Sequence, residues 1–186
     1  ADPVRMEPYI PTFFQWRGMV AKDLGFVANP DAEVLVAPNI GSYVGGDITA
    51  GTFASLIWNK DEFSLFIDLG TNGELVFGNR DFMMSCACSA GPAFEGGDIS
   101  CGMRATDGAI ESCVIDPDES ETGREISITE VDIDSFIRAK GAIFSAINIM
   151  LSSLDMDVSV LEHVYVAGGI GSGINMENAV RIGMLP

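Results

Sequence analysis

Apolar residues in this chain fall into short unbroken runs divided by glycine-rich or acidic bends, with one long stretch in which they recur every three or four positions. Residues 33–37, Glu-Val-Leu-Val-Ala, read as a short strand that enters a glycine-rich bend over 41–46. Asp47 is placed to cap a helix reaching Asn59, with Ile48, Ala50, Ala54, Leu56 and Ile57 as its inward residues. Phe63-Ser64-Leu65-Phe66-Ile67 is almost continuously apolar, the mark of a strand buried on both faces. Asn72-Gly73 then predicts a tight hairpin. Residues 74–77 return as a strand, 78–81 turn again and 82–88 make a third, which gives a meander. Pro92 suits the first position of a short helix. Thr129-x-x-Asp132 is a variant of the capping box. Behind it Ile133, Phe136, Ile137, Ile143, Ile147, Met150, Leu151 and Leu154 keep helical spacing over about 24 residues. A strand over 158–166 leads into Ala167-Gly168-Gly169-Ile170-Gly171-Ser172-Gly173, and a last helix begins near Asn175.

Composition narrows the function classes. At 186 residues and 47% hydrophobic, the chain is long and apolar enough for one domain or two small ones, and a disordered tail is excluded. No run of about 18 uninterrupted apolar residues exists, which excludes a helical membrane span. Ten basic against 27 acidic residues give a net charge of −17, which repels both nucleic acid and an anionic membrane. The start lacks a basic and apolar leader and does not begin with Met, so the chain is expected to be an excised piece of a cytoplasmic protein. Residues 1–32, with Pro3, Pro8, Pro11, Phe13, Phe14 and Trp16, are expected to pack as an opening segment ahead of the domain at 33–186. Cysteines stand at 86, 88, 101 and 113 without a CxxC pair, and His163 is the only histidine. A zinc or iron-sulfur site within the chain is therefore not expected, and the cysteines read as small buried hydrophobes. His163 reads as structural, and the charge run over 116–125 as a solvated loop.

Two places carry candidate chemistry, and both bring an apolar strand into glycines at its C-terminal end, where backbone N–H groups lack ladder partners and can face an anion. In the first, Asp68-Leu69-Gly70-Thr71-Asn72-Gly73, the glycines admit a phosphate, Thr71 and Asn72 offer donors, and Asp68 suits a hydrated Mg²⁺ or a water. In the second, Gly168, Gly169, Ile170, Gly171 and Ser172 present a flat surface for a base or ribose. Taken alone, the first is more often only a hairpin, and the second is as often a plain strand-to-helix connection. Neither a dinucleotide-binding fingerprint nor a P-loop is present. Glu95 either positions a water or caps a helix, and Arg104 either meets phosphate or pairs with a carboxylate.

The order of these elements resembles the second half of the acetate and sugar kinase, Hsc70 and actin superfamily, whose ribonuclease-H-like subdomains clamp ATP. Residues 68–73 look like its second phosphate motif, and 166–172 like its adenosine motif. Longer strings are more specific: Ile67-Asp68-Leu69-Gly70-Thr71-Asn72-Gly73-Glu74, Ser89-Ala90-Gly91-Pro92-Ala93-Phe94-Glu95-Gly96, Ile99-Ser100-Cys101-Gly102-Met103-Arg104, and Val166-Ala167-Gly168-Gly169 running on to Gly183. Over most of residues 8–186 they resemble the ATPase domain of the reductive activators of corrinoid proteins.

That resemblance implies an α/β, actin-like fold with a mixed central sheet flanked by helices. It implies ATP and Mg²⁺ as ligands and return of an inactive Co(II) corrinoid protein to Co(I), with the electron from a [2Fe-2S] ferredoxin-like domain outside this chain. Asp68 and Glu95 would be catalytic, with Asp68 meeting Mg²⁺ through water. Gly70, Thr71, Asn72, Gly73, Gly168, Gly169, Ile170, Gly171 and Ser172 would bind the nucleotide. The family's first phosphate motif, Asp-x-Gly-Thr-Thr, is missing, as is the Cys-Gly-Ser-Gly helix start that usually lies between the meander and the long helix. A nucleotide-free docking module and a small-molecule kinase of the same superfamily are the alternatives. The oligomeric state, a homodimer included, stays open.

Overall fold

The computed structural model describes Met6 and residues 9–103 and 127–186. In chain order the elements are β1 (Met19–Val20), β2 (Glu33–Val34), α1 (Gly46–Ser55), β3 (Ser64–Leu69), β4 (Gly73–Gly78), β5 (Met83–Cys88), α2 (Glu130–Ser152), β6 (His163–Ala167), α3 (Gly168–Gly171) and α4 (Met176–Arg181). The fold is mixed α/β, with a mixed four-stranded sheet in the order β5-β4-β3-β6. The tight turns made the β3-β4-β5 meander that the apolar runs predict, and β6 joins the other edge of β3. Two compact units result. The first holds the described residues of Ala1–Asp68 with Glu74–Ala87 and Ser159–Tyr165, the second Leu69–Gly73, those of Cys88–Val158, and Val166–Pro186.

In the first unit, Ser64, Leu65, Phe66 and Ile67 are all buried without alternation, as the run of apolar residues requires of a central strand. Leu75, Val76 and Phe77 of β4 are buried beside them, and Phe63 stacks on Phe77 at 5.4 Å. Helix α1 lies so close to β3 that a Cβ on Gly51 would sit 2.3 Å from the Phe66 ring. The turn from β4 to β5 is organised by buried Asn79, whose amide donates to the Asp61 carbonyl while its oxygen accepts from the Asp81 N–H.

Several expectations change here. Gly45, not Asp47, is the N-cap of α1; Asp47 lies in the first turn and accepts the Ile48 N–H at 2.9 Å. The helix stops at Ser55 because Leu56 turns left-handed (φ 62°), and a 3-10 turn, Ile57–Asn59, follows. Within α1 the buried face is that of Ile48 and Thr52, and Ala50 and Ala54, each two positions further on, are exposed on the other side; beyond the break Leu56 is exposed and Ile57 buried. Strand β2 covers only Glu33–Val34 of the expected 33–37, since its partner β1 supplies two residues and Pro38 follows soon after. In the opening segment, Phe13 and Trp16 pack edge to face at 5.0 Å and remain exposed.

The core of the second unit comes from one face of α2, Ala139, Ile143, Ile147, Met150 and Leu151, with Ala179, Met184 and Leu185. Ile133 and Ile137 of the predicted stripe are exposed. The capping box forms as read: Thr129 Oγ1 accepts the Asp132 N–H, and Asp132 accepts the Thr129 N–H at 2.8 Å. The predicted strand over 158–166 is shorter, because a 3-10 turn occupies Val158–Val160 and pairing begins only where the Glu162 N–H meets the Phe63 carbonyl. His163 is exposed at the start of β6. No disulfide joins Cys86, Cys88 and Cys101; the first two are half-buried, and Cys101 is exposed rather than a buried hydrophobe. Arg104, Cys113 and the run over 116–125 lie outside the described residues.

Asp132 is buried, and the backbone N–H groups of Thr129 and Ser100 hold its carboxyl down to about 2. A carboxylate with a lowered pKa stabilises the fold above its unfolded value and loses that contribution as pH falls through the folded one. The Tm difference between the wild type and Asp132→Asn is therefore expected to be constant above pH 4 and to shrink between about pH 4 and pH 2. Thermal melts across that range check it, and a difference that grows on acidification contradicts it.

Candidate functional site

Strand β3 carries Asp68 to its end, where the chain bends through Gly70 and Asn72 (Gly70 N–H to Asn72 carbonyl, 3.0 Å) before β4 begins at Gly73. Thr71 and Asn72 are exposed at the tip of this bend. The Thr71 hydroxyl donates to Glu95 Oε1 at 2.8 Å, and the Thr71 carbonyl accepts the Gly91 N–H at 2.9 Å. Two residues 24 positions apart, both expected at the site, are thus in direct contact. Glu95 ends a 3-10 turn, Ala93–Glu95, for which Pro92 is the N-cap. At the base of the bend Gly73 is buried, and a Cβ there would come 2.9 Å from Cys88 Sγ.

Asp68 belongs to the first unit, where it is half-buried. Burial, and then the charge of Asp47, raise its carboxyl above the usual carboxylate range. Glu74 is raised as well, by burial first, then by Asp68 and Asp47, against a lowering bond from its own backbone. Three carboxylates from the start of α1, the end of β3 and the start of β4 therefore share a field that disfavours charge on two of them. Such a field is relieved by a bound cation or a proton. Sequence reasoning treated Asp47 as a cap and gave Glu74 no role. The available signal was the glycine-rich bend ahead of Asp47, which repeats the strand, glycine and helix order of the last motif. Among the described residues no group of three or more His, Cys, Asp or Glu side chains is arranged to hold a metal ion directly.

At the second motif, β6 passes straight into the single helical turn α3. Its glycines differ in what the fold asks of them. Gly168 has φ +91°, a conformation that disfavours a side chain. Gly171 must be small, because a Cβ would meet Val166 Cγ1 at 2.9 Å. Gly169 is exposed, and a Cβ there would have no atom within 4 Å. Ile170 is half-buried, and the Ser172 hydroxyl donates to the Gly169 carbonyl at 3.0 Å. Backbone conformation thus explains Gly168 and packing explains Gly171, while neither accounts for Gly169.

Comparison with known proteins supplies the context. The model of the C-terminal domain of RACo, described as the ASKHA domain, matches residues 62–123 and again 113–186, and that of the RACo middle region matches residues 1–60. A solved structure described as a reductive activator for corrinoid, iron-sulfur protein superposes with a TM-score of 0.81 at 35% identity, over 98% of this chain and 40% of that one. The corrinoid activation enzyme RamQ of Eubacterium limosum is 26% identical over 85% of this chain and 38% of its own length. A [Co(II) methylated amine-specific corrinoid protein] reductase of Methanosarcina barkeri is 25% identical over 84% of this chain and 41% of its own. The chain thus spans about two fifths of the length of the relatives it matches. Those two alignments extend over 228 and 220 positions, more than the 186 residues here, so both relatives carry length with no counterpart in this chain. No helix among the described residues is long and apolar enough to cross a membrane.

Proposed function

We propose, from the premise that this chain belongs to the RACo family and carries its middle region followed by its ASKHA domain, that it is the nucleotide-using part of a reductive activator that returns a Co(II) corrinoid protein to Co(I). The two curated relatives and the superposed structure are named for that chemistry. In this reading Thr71, Asn72 and the amides around Gly70 and Gly73 bind phosphate. Asp68, in the field of Asp47 and Glu74, holds Mg²⁺ through its water, and Glu95 orients Thr71 or a water beside it. Gly168, Gly169, Ile170, Gly171 and Ser172 receive the adenosine. The residues fit such a ligand: the bend tip is exposed, two of the three carboxylates resist charge unless neutralised, and Gly169 leaves an open face. The electron would come from a [2Fe-2S] domain outside residues 1–186, and the activator would work in the cytoplasm. Reduction of Co(II) is uphill for ordinary iron-sulfur donors, and coupling it to ATP-driven remodelling of the partner offsets that deficit.

The observation that carries this reading is Gly169, a glycine the fold does not need at a place where a ligand would need it. Gly169→Val in the intact activator is expected to change the Tm without ligand by only a few degrees, since a Cβ there meets no atom within 4 Å, while the rise in Tm at millimolar Mg-ATP disappears. Retention of the full ATP-dependent shift in that variant contradicts the assignment. Absence of any shift in the wild type favours a docking module that makes no use of nucleotide, and a phosphorylated small molecule among the products favours a kinase.

A further inference from the structure

The carboxylate of Asp132 does more than cap a helix. Oδ2 accepts the Thr129 N–H, and Oδ1 accepts both the N–H (2.7 Å) and the hydroxyl (3.0 Å) of Ser100. Asp132 is the only buried carboxylate among the described residues, at 1% exposure. Ser100 belongs to the same loop as Glu95, and that loop is folded tightly on itself. The Gly97 N–H reaches the Pro92 carbonyl at 2.9 Å, and a Cβ on Gly102 would lie 2.1 Å from the Gly96 carbonyl oxygen. Backbone so close to backbone leaves little room for Glu95 to move relative to Ser100. A second contact with α2 is Phe94 against the edge of Phe136 at 5.5 Å. On its other side the loop meets the bend at 70–73 through Gly91 and Glu95, both bonded to Thr71.

We propose that Asp132 is a positioning residue: by anchoring the 91–102 loop to the first turn of α2, it sets where the Glu95 carboxylate stands and so the orientation of the Thr71 hydroxyl. This rests on the reading above that the bend at 70–73 receives the nucleotide phosphates. A cap acts on the helix alone, whereas this carboxylate divides its oxygens between the helix and the loop that bears Glu95. Its loss frees that loop, and the cost falls on binding at Thr71 as well as on helix stability.

Three variants of the intact activator separate the roles. Thr129→Ala removes the hydroxyl half of the capping box and leaves both Ser100 bonds. It is expected to lower the Tm without changing the KM for ATP. Asp132→Asn strikes both roles and is expected to lower the Tm and to raise the KM for ATP about tenfold, with a smaller change in kcat. In a Thr71→Val background the same substitution is expected to add less than about twofold to the KM, because the hydroxyl it orients is gone. Should Asp132→Asn fail to fold, Ser100→Ala takes its place, with an expected rise of about threefold. Equal KM values in Asp132→Asn and Thr129→Ala, or full additivity with Thr71→Val, overturn the proposal. If Asp68→Ala and Thr71→Val leave ATP turnover intact, the site reading itself has failed and this inference falls with it. If they abolish or weaken turnover while Asp132→Asn changes only the Tm, the inference alone has failed.

Discussion

Asp68→Ala is expected to abolish ATP-stimulated corrinoid reduction by the intact activator, with a fall in kcat/KM of at least about 100-fold, while the protein melts no lower than the wild type at neutral pH. The two halves of that expectation have one cause. The Asp68 carboxyl is half-buried and feels the charge of Asp47, so burial first and that charge second work against its ionised form. A carboxylate with a raised pKa contributes stability that is complete below its unfolded value and lost as pH rises through the folded one, so its ionised form is the one that works against the fold. Removing the group relieves Glu74 as well, whose carboxyl is raised in part by the charge of Asp68. A group kept against its own stability cost is the usual signature of a functional site. Parallel ATPase and thermal melting measurements check both halves. Undiminished ATPase removes Asp68 from the mechanism, and a large fall in Tm returns it to a structural role.

Gly78→Ala is the second large expected effect, and it falls on stability. Gly78 ends β4 at φ +150°, and an added Cβ would lie 2.1 Å from the Phe82 carbonyl oxygen and 2.8 Å from Met83 Cα. These are backbone atoms with no side chain to swing aside, and the turn is already fixed by the Asn79 N–H bond to that same Phe82 carbonyl at 2.9 Å. The variant is expected to lose about 3–5 kcal/mol, at the upper end of single substitutions. Gly51→Ala, which meets the Phe66 ring rather than backbone, is expected to lose less, about 1–3 kcal/mol. Gly41→Ala, with nothing within 4 Å, should change little. Denaturant melts of the three variants give the ranking, and a Gly78 variant as stable as the Gly41 variant contradicts it.

Much of this architecture is local, and the local parts were legible. The unbroken run at 63–67 announces a strand covered on both faces, and Thr129 with Asp132 announces a helix start; both depend on residues within a few positions of each other. The end of α1 was not legible, because Leu56 takes a left-handed conformation that nothing in its neighbours' identities demands. Asp47 and Glu74 were missed as companions of Asp68 for a related reason: electrostatic neighbourhood is a property of the folded chain, and no spacing in the sequence encodes it. The Thr71 to Glu95 bond lies between these cases. Motif resemblance brought both residues into view, but only the folded chain joins them.

Acid acts on the two units with opposite sign. Protonation quiets the repulsion around Asp68 and Glu74 in the first and strips Asp132 of the charge that ties down the Glu95 loop in the second. Acidification thus eases the first part at the higher pH where its raised carboxyls take up protons and loosens the second only below about pH 4, so amide exchange followed along a pH series would record two separate responses within a single polypeptide.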